Sequence, residues 1–138
     1  MHNKHAILHD TRGMTTLEFA LVLPLVLLLL FGTMDMMRYV WTRNVVVAAA
    51  VEAAGVGGIA SASDADIMLA AQKVLSPSGL AASSFVITRN AAAVPPVITV
   101  RITVDFSYIV LPGFIASMAG AKIVDVSKQS VMGPQEAS

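Results

Sequence analysis

The sequence predicts an α+β protein in which a long N-terminal transmembrane helix continues into an exported helix that packs with a small antiparallel sheet. Two observations carry this prediction. Residues 19–34 form an uncharged apolar run, and with residues 15–17 the segment approaches the roughly 20 residues that span a hydrocarbon core. Residues 98–108 alternate apolar and polar side chains, which is the period of a strand with one buried face.

Composition supports a membrane protein of modest size. The 138 residues leave room for one membrane segment and one small domain. Hydrophobic residues make up 56% of the chain and charged residues 13%, far on the apolar side for a soluble domain. Nine basic residues balance nine acidic ones without a basic run, so we expect no nucleic-acid partner. The chain has no cysteine, which excludes a disulfide-stapled fold and a thiolate zinc site.

The first helix is predicted to extend from residue 14 to about residue 60, where Gly57 and Gly58 weaken and end it. Small side chains at 48–54 allow another backbone to approach closely. Beyond the membrane, residues at three- and four-residue steps predict an apolar face that needs a partner. This face comprises Met37, Val40, Asn44, Val47, Val51 and Ala54.

The rest of the chain predicts one helix and three strands. Ser63 is an N-cap candidate for a short helix from Asp64 to Leu75, and SPSG at 76–79 stops that helix. Strands are expected at 85–88, at 98–108 after Pro95 and Pro96, and at about 122–132. The last strand alternates poorly, so we expect it at a sheet edge or with a bulge.

No residue cluster predicts a metal, a cofactor or catalysis. His2, His5 and His9 have helical spacing but no carboxylate or cysteine beside them. Asp64 and Asp66 are interpreted as helix-capping acids because no EF-hand loop follows. Without a nucleophile elbow, a cysteine, or a histidine beyond residue 9, we expect no enzyme.

Charged pairs allow two interpretations each. Asp35 and Arg38 can pair at the membrane edge beside an aromatic belt of Tyr39 and Trp41, or contact another subunit. Arg101 and Asp105 project from one face of the predicted strand and either solvate it or contact a partner.

The apolar run is predicted to stay in the protein as an anchor. Cleavable signal peptides place a small-residue site directly after the run, whereas the alanines at 48–50 lie well beyond it. Pro24 predicts a kink in the helix, or is merely tolerated there. Lys4 and Arg12 precede the run and Arg38 and Arg43 follow shortly after it, so the charge near its two ends does not decide its orientation.

One stretch, RGMTTLEFALVLPLVLLLLFG at 12–32, resembles a class III or type IV prepilin signal: a glycine, then a glutamate five residues later, then an unbroken apolar helix. With the EAAGVGGIA stretch, the strand VITVRITVDFSYIV, the segment LPGFIASMAG and the end KIVDVSKQSVM, the chain is similar to TadE-like minor pilins or pseudopilins. The acidic and basic pattern near the end of that family's first helix is thinner here.

The resemblance implies that a prepilin peptidase cuts the chain between Gly13 and Met14. It also implies that Glu18 and Phe19 act in assembly, where Glu18 pairs with the new N-terminal amine. It divides the chain into a leader at 1–13, a transmembrane helix at 14–36 and an exported α+β domain at 37–138.

The function implied is assembly of a tight-adherence (Flp, type IVc) pilus for surface attachment. The chain would span a bacterial inner membrane once, with its N-terminus cytoplasmic and its domain periplasmic, and would either work with the assembly platform or enter the pilus at its tip or base. Partners would be other pilins and pseudopilins, the assembly platform and the lipid bilayer. Two alternatives stay open: a type II secretion pseudopilin, and a single-span protein with a periplasmic binding domain.

Overall fold

A computed structural model describes residues 11–59, 61–110, 113, 117 and 122–133. Over these residues the chain forms two α-helices, a short 3-10 turn and one three-stranded sheet. The elements are α1 (Thr11–Gly57), α2 (Asp64–Leu75), the turn Ser76–Ser78, β1 (Ser84–Asn90), β2 (Val97–Phe106) and β3 (Lys122–Val131). The predicted α+β class, with a long N-terminal helix and a small antiparallel sheet, is confirmed.

Helix α1 has 47 residues, which corresponds to a length of about 70 Å at 1.5 Å per residue. It ends at Gly57, as the glycine pair predicted. A Cβ on Gly57 would lie 2.7 Å from Cδ1 of Ile98 and 3.2 Å from Cδ1 of Ile67. The glycine therefore allows the end of α1 to lie directly against both β2 and α2.

Helix α2 begins and ends as its sequence predicted. The Ser63 hydroxyl accepts a hydrogen bond from the Asp66 amide at 3.2 Å, and the Asp66 carboxylate accepts one from the Ser63 amide at 3.0 Å, forming a capping box. Hydrogen bonds from the Ser63 hydroxyl and amide lower the pKa of the Asp66 carboxyl. At the other end, Gly79 adopts a left-handed conformation with φ of 66°. The buried side chains of α2 are Ile67, Ala71 and Leu75, one per turn.

Strand β2 is the centre of the sheet, with β1 and β3 antiparallel on either side. Its inward side chains are buried, as the period of two predicted: Ile98, Val100, Ile102, Val104 and Phe106. The strand starts directly after Pro96 and stops at Phe106, so Tyr108 lies beyond it.

Strand β3 is an edge strand, as expected, and it carries no bulge. Its pairing with β2 is continuous from Phe106 opposite Lys122 to Val97 opposite Val131. Val124 and Val126 face the core, whereas Ile123 and Val131 face outward. The apolar residues at outward positions are the reason that the sequence of this strand alternates poorly.

The buried face of α1 differs from the predicted one. Met37 is 75% exposed and Val51 is 52% exposed, and Val40 and Asn44 are exposed too. Of the predicted face, Ala54 is buried and Val47 is partly buried against the core. The other buried side chains of α1 were not predicted: Asp35, Thr42, Val46, Ala49, Ala50 and Ala53. Alanines at the centre of this face let α1 approach α2 and the sheet closely. The prediction of close approach was right, but most of the residues assigned to the buried face were wrong.

Candidate functional site

The N-terminal half of α1 extends away from the head domain, which comprises the C-terminal half of α1, α2 and the sheet. Side chains 16–34 are exposed or half-buried, although nearly all are apolar. Within the described part of the chain, one helix is long and apolar enough to cross a membrane, and its most apolar window is not buried inside the protein. A bilayer would supply the apolar surroundings that the protein itself does not.

The predicted processing and pairing residues all fall on this helix. Gly13 and Met14 lie in its helical backbone, which begins at Thr11. Glu18 and Phe19 follow about one turn later, and both side chains are exposed. The helix continues through Pro24; the predicted kink there stays a prediction. The leader histidines lie outside the described residues.

Directly after the apolar run, Asp35 joins α1 to a distant part of the chain. Its side chain is buried, and one carboxylate oxygen lies 3.1 Å from Nη1 of Arg38. The carboxylate also accepts hydrogen bonds from the backbone amides of Ile109 at 3.3 Å and Val110 at 3.1 Å. The predicted pair with Arg38 forms, but the bonds to the segment after β2 had no signal in the sequence.

Aromatic side chains from α1 and β2 meet one helical turn further on. The rings of Tyr39 and Phe106 contact edge to face at 5.5 Å, and those of Phe106 and Tyr108 do so at 5.6 Å. The guanidinium of Arg38 lies 5.5 Å from the centre of the Phe106 ring, a cation–π distance. The cluster joins the part of α1 next to the apolar run to the end of β2.

Two further features of the described surface are an ion pair on the sheet and a small groove beside α2. On the outer face of the sheet, Arg101 pairs with Asp125 at 3.7 Å, both about half exposed, so the pair adds little stability. A groove of about 280 Å³ lies between α2 and β1, lined by Met68, Leu75 and Phe85 among others; small-molecule pockets are usually roughly 300–1,000 Å³. No group of three or more metal-ligating side chains occurs among the residues that the structure describes.

These features define a protein with one candidate transmembrane helix at its N-terminus, whose second half is part of the core of a small α+β head domain. Residues 13–55 match the family model of TadE-like protein, so the match begins at Gly13 and covers nearly all of α1. This match supports the resemblance to TadE-like proteins over the N-terminal helix. Neither the curated proteins nor the solved structures gave a match.

Proposed function

We propose that this chain is a minor pilin or pseudopilin that acts in the assembly of a tight-adherence (Flp, type IVc) pilus and so supports surface attachment. The observation that carries the proposal is the family match from Gly13 to Gly55, which coincides with an apolar helix left uncovered by the head domain. The role is structural rather than catalytic. The chain is anchored in the bacterial inner membrane with its head domain in the periplasm.

In this proposal the leader is removed between Gly13 and Met14 by a prepilin peptidase. Cleavage there leaves the whole apolar run on the mature protein, unlike cleavage of an ordinary signal peptide. The new amine on Met14 starts about one helical turn before Glu18. A charged pair at this depth offsets the cost of placing a carboxylate in lipid.

The uncovered face of α1 supplies a surface for other pilins. Beyond the membrane this face carries Met37, Val40, Trp41 and Val51, all exposed. It continues the apolar surface of the membrane segment in the same helix. Helices of neighbouring subunits or of the assembly platform would cover it when the protein leaves the lipid or enters a filament.

Processing is the step that tests the proposal most directly. The intact mass of the chain purified from its native host should correspond to a mature protein that begins at Met14. Gly13→Leu should leave the precursor uncut, because a bulky side chain next to the scissile bond obstructs the peptidase. Gly32→Leu is the matched control: a Cβ on Gly32 meets nothing within 4 Å, so this variant should be processed normally.

Two results would contradict the proposal. One is an uncut wild-type chain in a host whose prepilin peptidase is shown to process another substrate. The other is a mature protein that begins near Ala50, which would make the apolar run a removable signal.

A further inference from the structure

The head domain has one end close to the membrane and one end far from it. Strand β2 runs antiparallel to the exported half of α1, since Ile98 packs near Gly57 and Phe106 packs on Tyr39. Ten residues of strand extend about 33 Å, the same as about 22 residues of helix. The chain therefore leaves β2 at the depth where the apolar run of α1 ends.

The segment after β2 is held at that depth by Asp35. The carboxylate of Asp35 accepts hydrogen bonds from the backbone amides of Ile109 and Val110. The backbone of these two residues therefore lies beside the end of the apolar run, since Asp35 directly follows Met34. The Ile109 side chain is nevertheless 69% exposed. Residues 106–110 carry no charged side chain, which keeps this stretch compatible with lipid.

The side chains around this point are those that favour a membrane–water interface. Tyr39, Tyr108 and Trp41 carry aromatic rings with a polar atom, and Arg38 holds a partly exposed guanidinium above Phe106. Tyrosine and tryptophan are enriched at the headgroup level of bilayers, and arginine reaches toward it from the end of a helix. Two segments that are 75 positions apart in sequence thus supply one aromatic belt.

We infer that residues 107–110, directly after β2, are a second membrane contact, in which Ile109 enters the headgroup–acyl boundary of a phospholipid bilayer while Asp35 fixes its backbone to α1. Continuity with the apolar run of α1 selects the bilayer as the occupant of this surface rather than a protein partner. The contact fixes the orientation of the head domain on the membrane. It rests on α1 crossing the bilayer and is independent of the role in a pilus.

The absence of cysteine from the chain allows a direct test with single-cysteine variants of the full protein. An environment-sensitive fluorophore is attached to the single cysteine of each of three variants: Ile109→Cys, Leu27→Cys and Val94→Cys. The labelled proteins are reconstituted at a low protein-to-lipid ratio into phosphatidylcholine vesicles containing lipids with a nitroxide near the headgroup or deep in the chain. Leu27 marks the apolar run, and Val94, which is 97% exposed between β1 and β2, marks the distal end.

An interfacial side chain lies roughly 5–10 Å into the headgroup–acyl boundary, so we expect the shallow nitroxide to quench position 109 several-fold more than position 94. The deep nitroxide should quench position 27 most. Equal quenching at positions 109 and 94, with strong quenching at 27, would overturn the inference. Weak quenching at position 27 would overturn it too, because the helix would not be inserted.

Discussion

The carboxylate of Asp35 accepts a hydrogen bond from the backbone amide of Val110, with 3.1 Å between Oδ2 and N, although the two residues are 75 positions apart. Through this bond and its companion to Ile109, the first charged residue after the apolar run closes the end of the head domain next to that run. A charged acceptor strengthens such bonds, which contribute about 1.5–3 kcal/mol each when the partner is ionised.

Asp35→Ala should therefore lower the free energy of unfolding of the head domain by about 3 kcal/mol, because two amides lose their acceptor. Asp35→Asn keeps one carbonyl oxygen and should lose less than the alanine variant. Denaturant titration of the full chain in detergent, followed by circular dichroism, measures both. Equal stability of the alanine variant and the wild type would show that the bonds to Ile109 and Val110 contribute nothing.

Two glycines near the end of α1 should respond in opposite directions to the same substitution. Gly57→Ala places a methyl group 2.7 Å from Cδ1 of the buried Ile98, and overpacking of this kind costs about 1–3 kcal/mol. Gly55→Ala meets nothing within 4 Å and should gain up to about 1 kcal/mol of helix propensity. Thermal unfolding of the two variants side by side provides the measurement. If Gly57→Ala were the more stable protein, the close approach of α1 to β2 would be wrong.

Isoleucines on two neighbouring strands separate the core face of the sheet from its outer face. Ile102 on β2 is fully buried, whereas Ile123 on β3 is 59% exposed. Ile102→Ala should cost about 2–5 kcal/mol through lost burial and the cavity left behind. Ile123→Ala removes the same atoms from a surface position and should stay within about 1 kcal/mol of the wild type. Similar losses in both variants would contradict the assigned faces, and chemical denaturation decides between the two results.

Glu18 should matter for association with other pilins more than for insertion. Glu18→Gln removes the charge that would pair with the amine of Met14, in the same or a neighbouring subunit, and should reduce crosslinking to other pilins and lower piliation. Glu52→Gln is the control, since Glu52 is an exposed glutamate on the same helix outside the apolar run. Both variants are compared at matched membrane levels. Normal association and normal pili in Glu18→Gln would mean that the charge pair does not set the docking of subunits.

Local signals were sufficient for most elements of this fold. The side chains of Ser63 and Asp66 accept hydrogen bonds from backbone amides at the first turn of α2, which other helical residues cannot pair with. The beginning of α2 could therefore be predicted to the residue. The alternation along β2 reports a strand with one buried face, and the glycine pair ends α1. The processing role of Gly13 and the pairing role of Glu18 came from the resemblance to a prepilin signal, the kink at Pro24 came from the chemistry of proline, and all three stay predictions.

Only the tertiary structure decided which face of α1 is buried and what Asp35 binds. The C-terminal half of α1 carries apolar side chains nearly all round, so Met37 and Val51 fit a helical stripe as well as Val46 and Ala53 do, and periodicity cannot choose between them. The choice depends on small side chains that let α2 and the sheet approach, which is a property of surfaces brought together from distant parts of the chain. In the same way, the position of Asp35 after the apolar run indicates where that run ends. Its hydrogen-bond donors, the backbone amides of Ile109 and Val110, lie beyond β2 and could not be predicted from the residues around Asp35. The sequence determined the elements through interactions within a few residues, and long-range packing determined how those elements face one another.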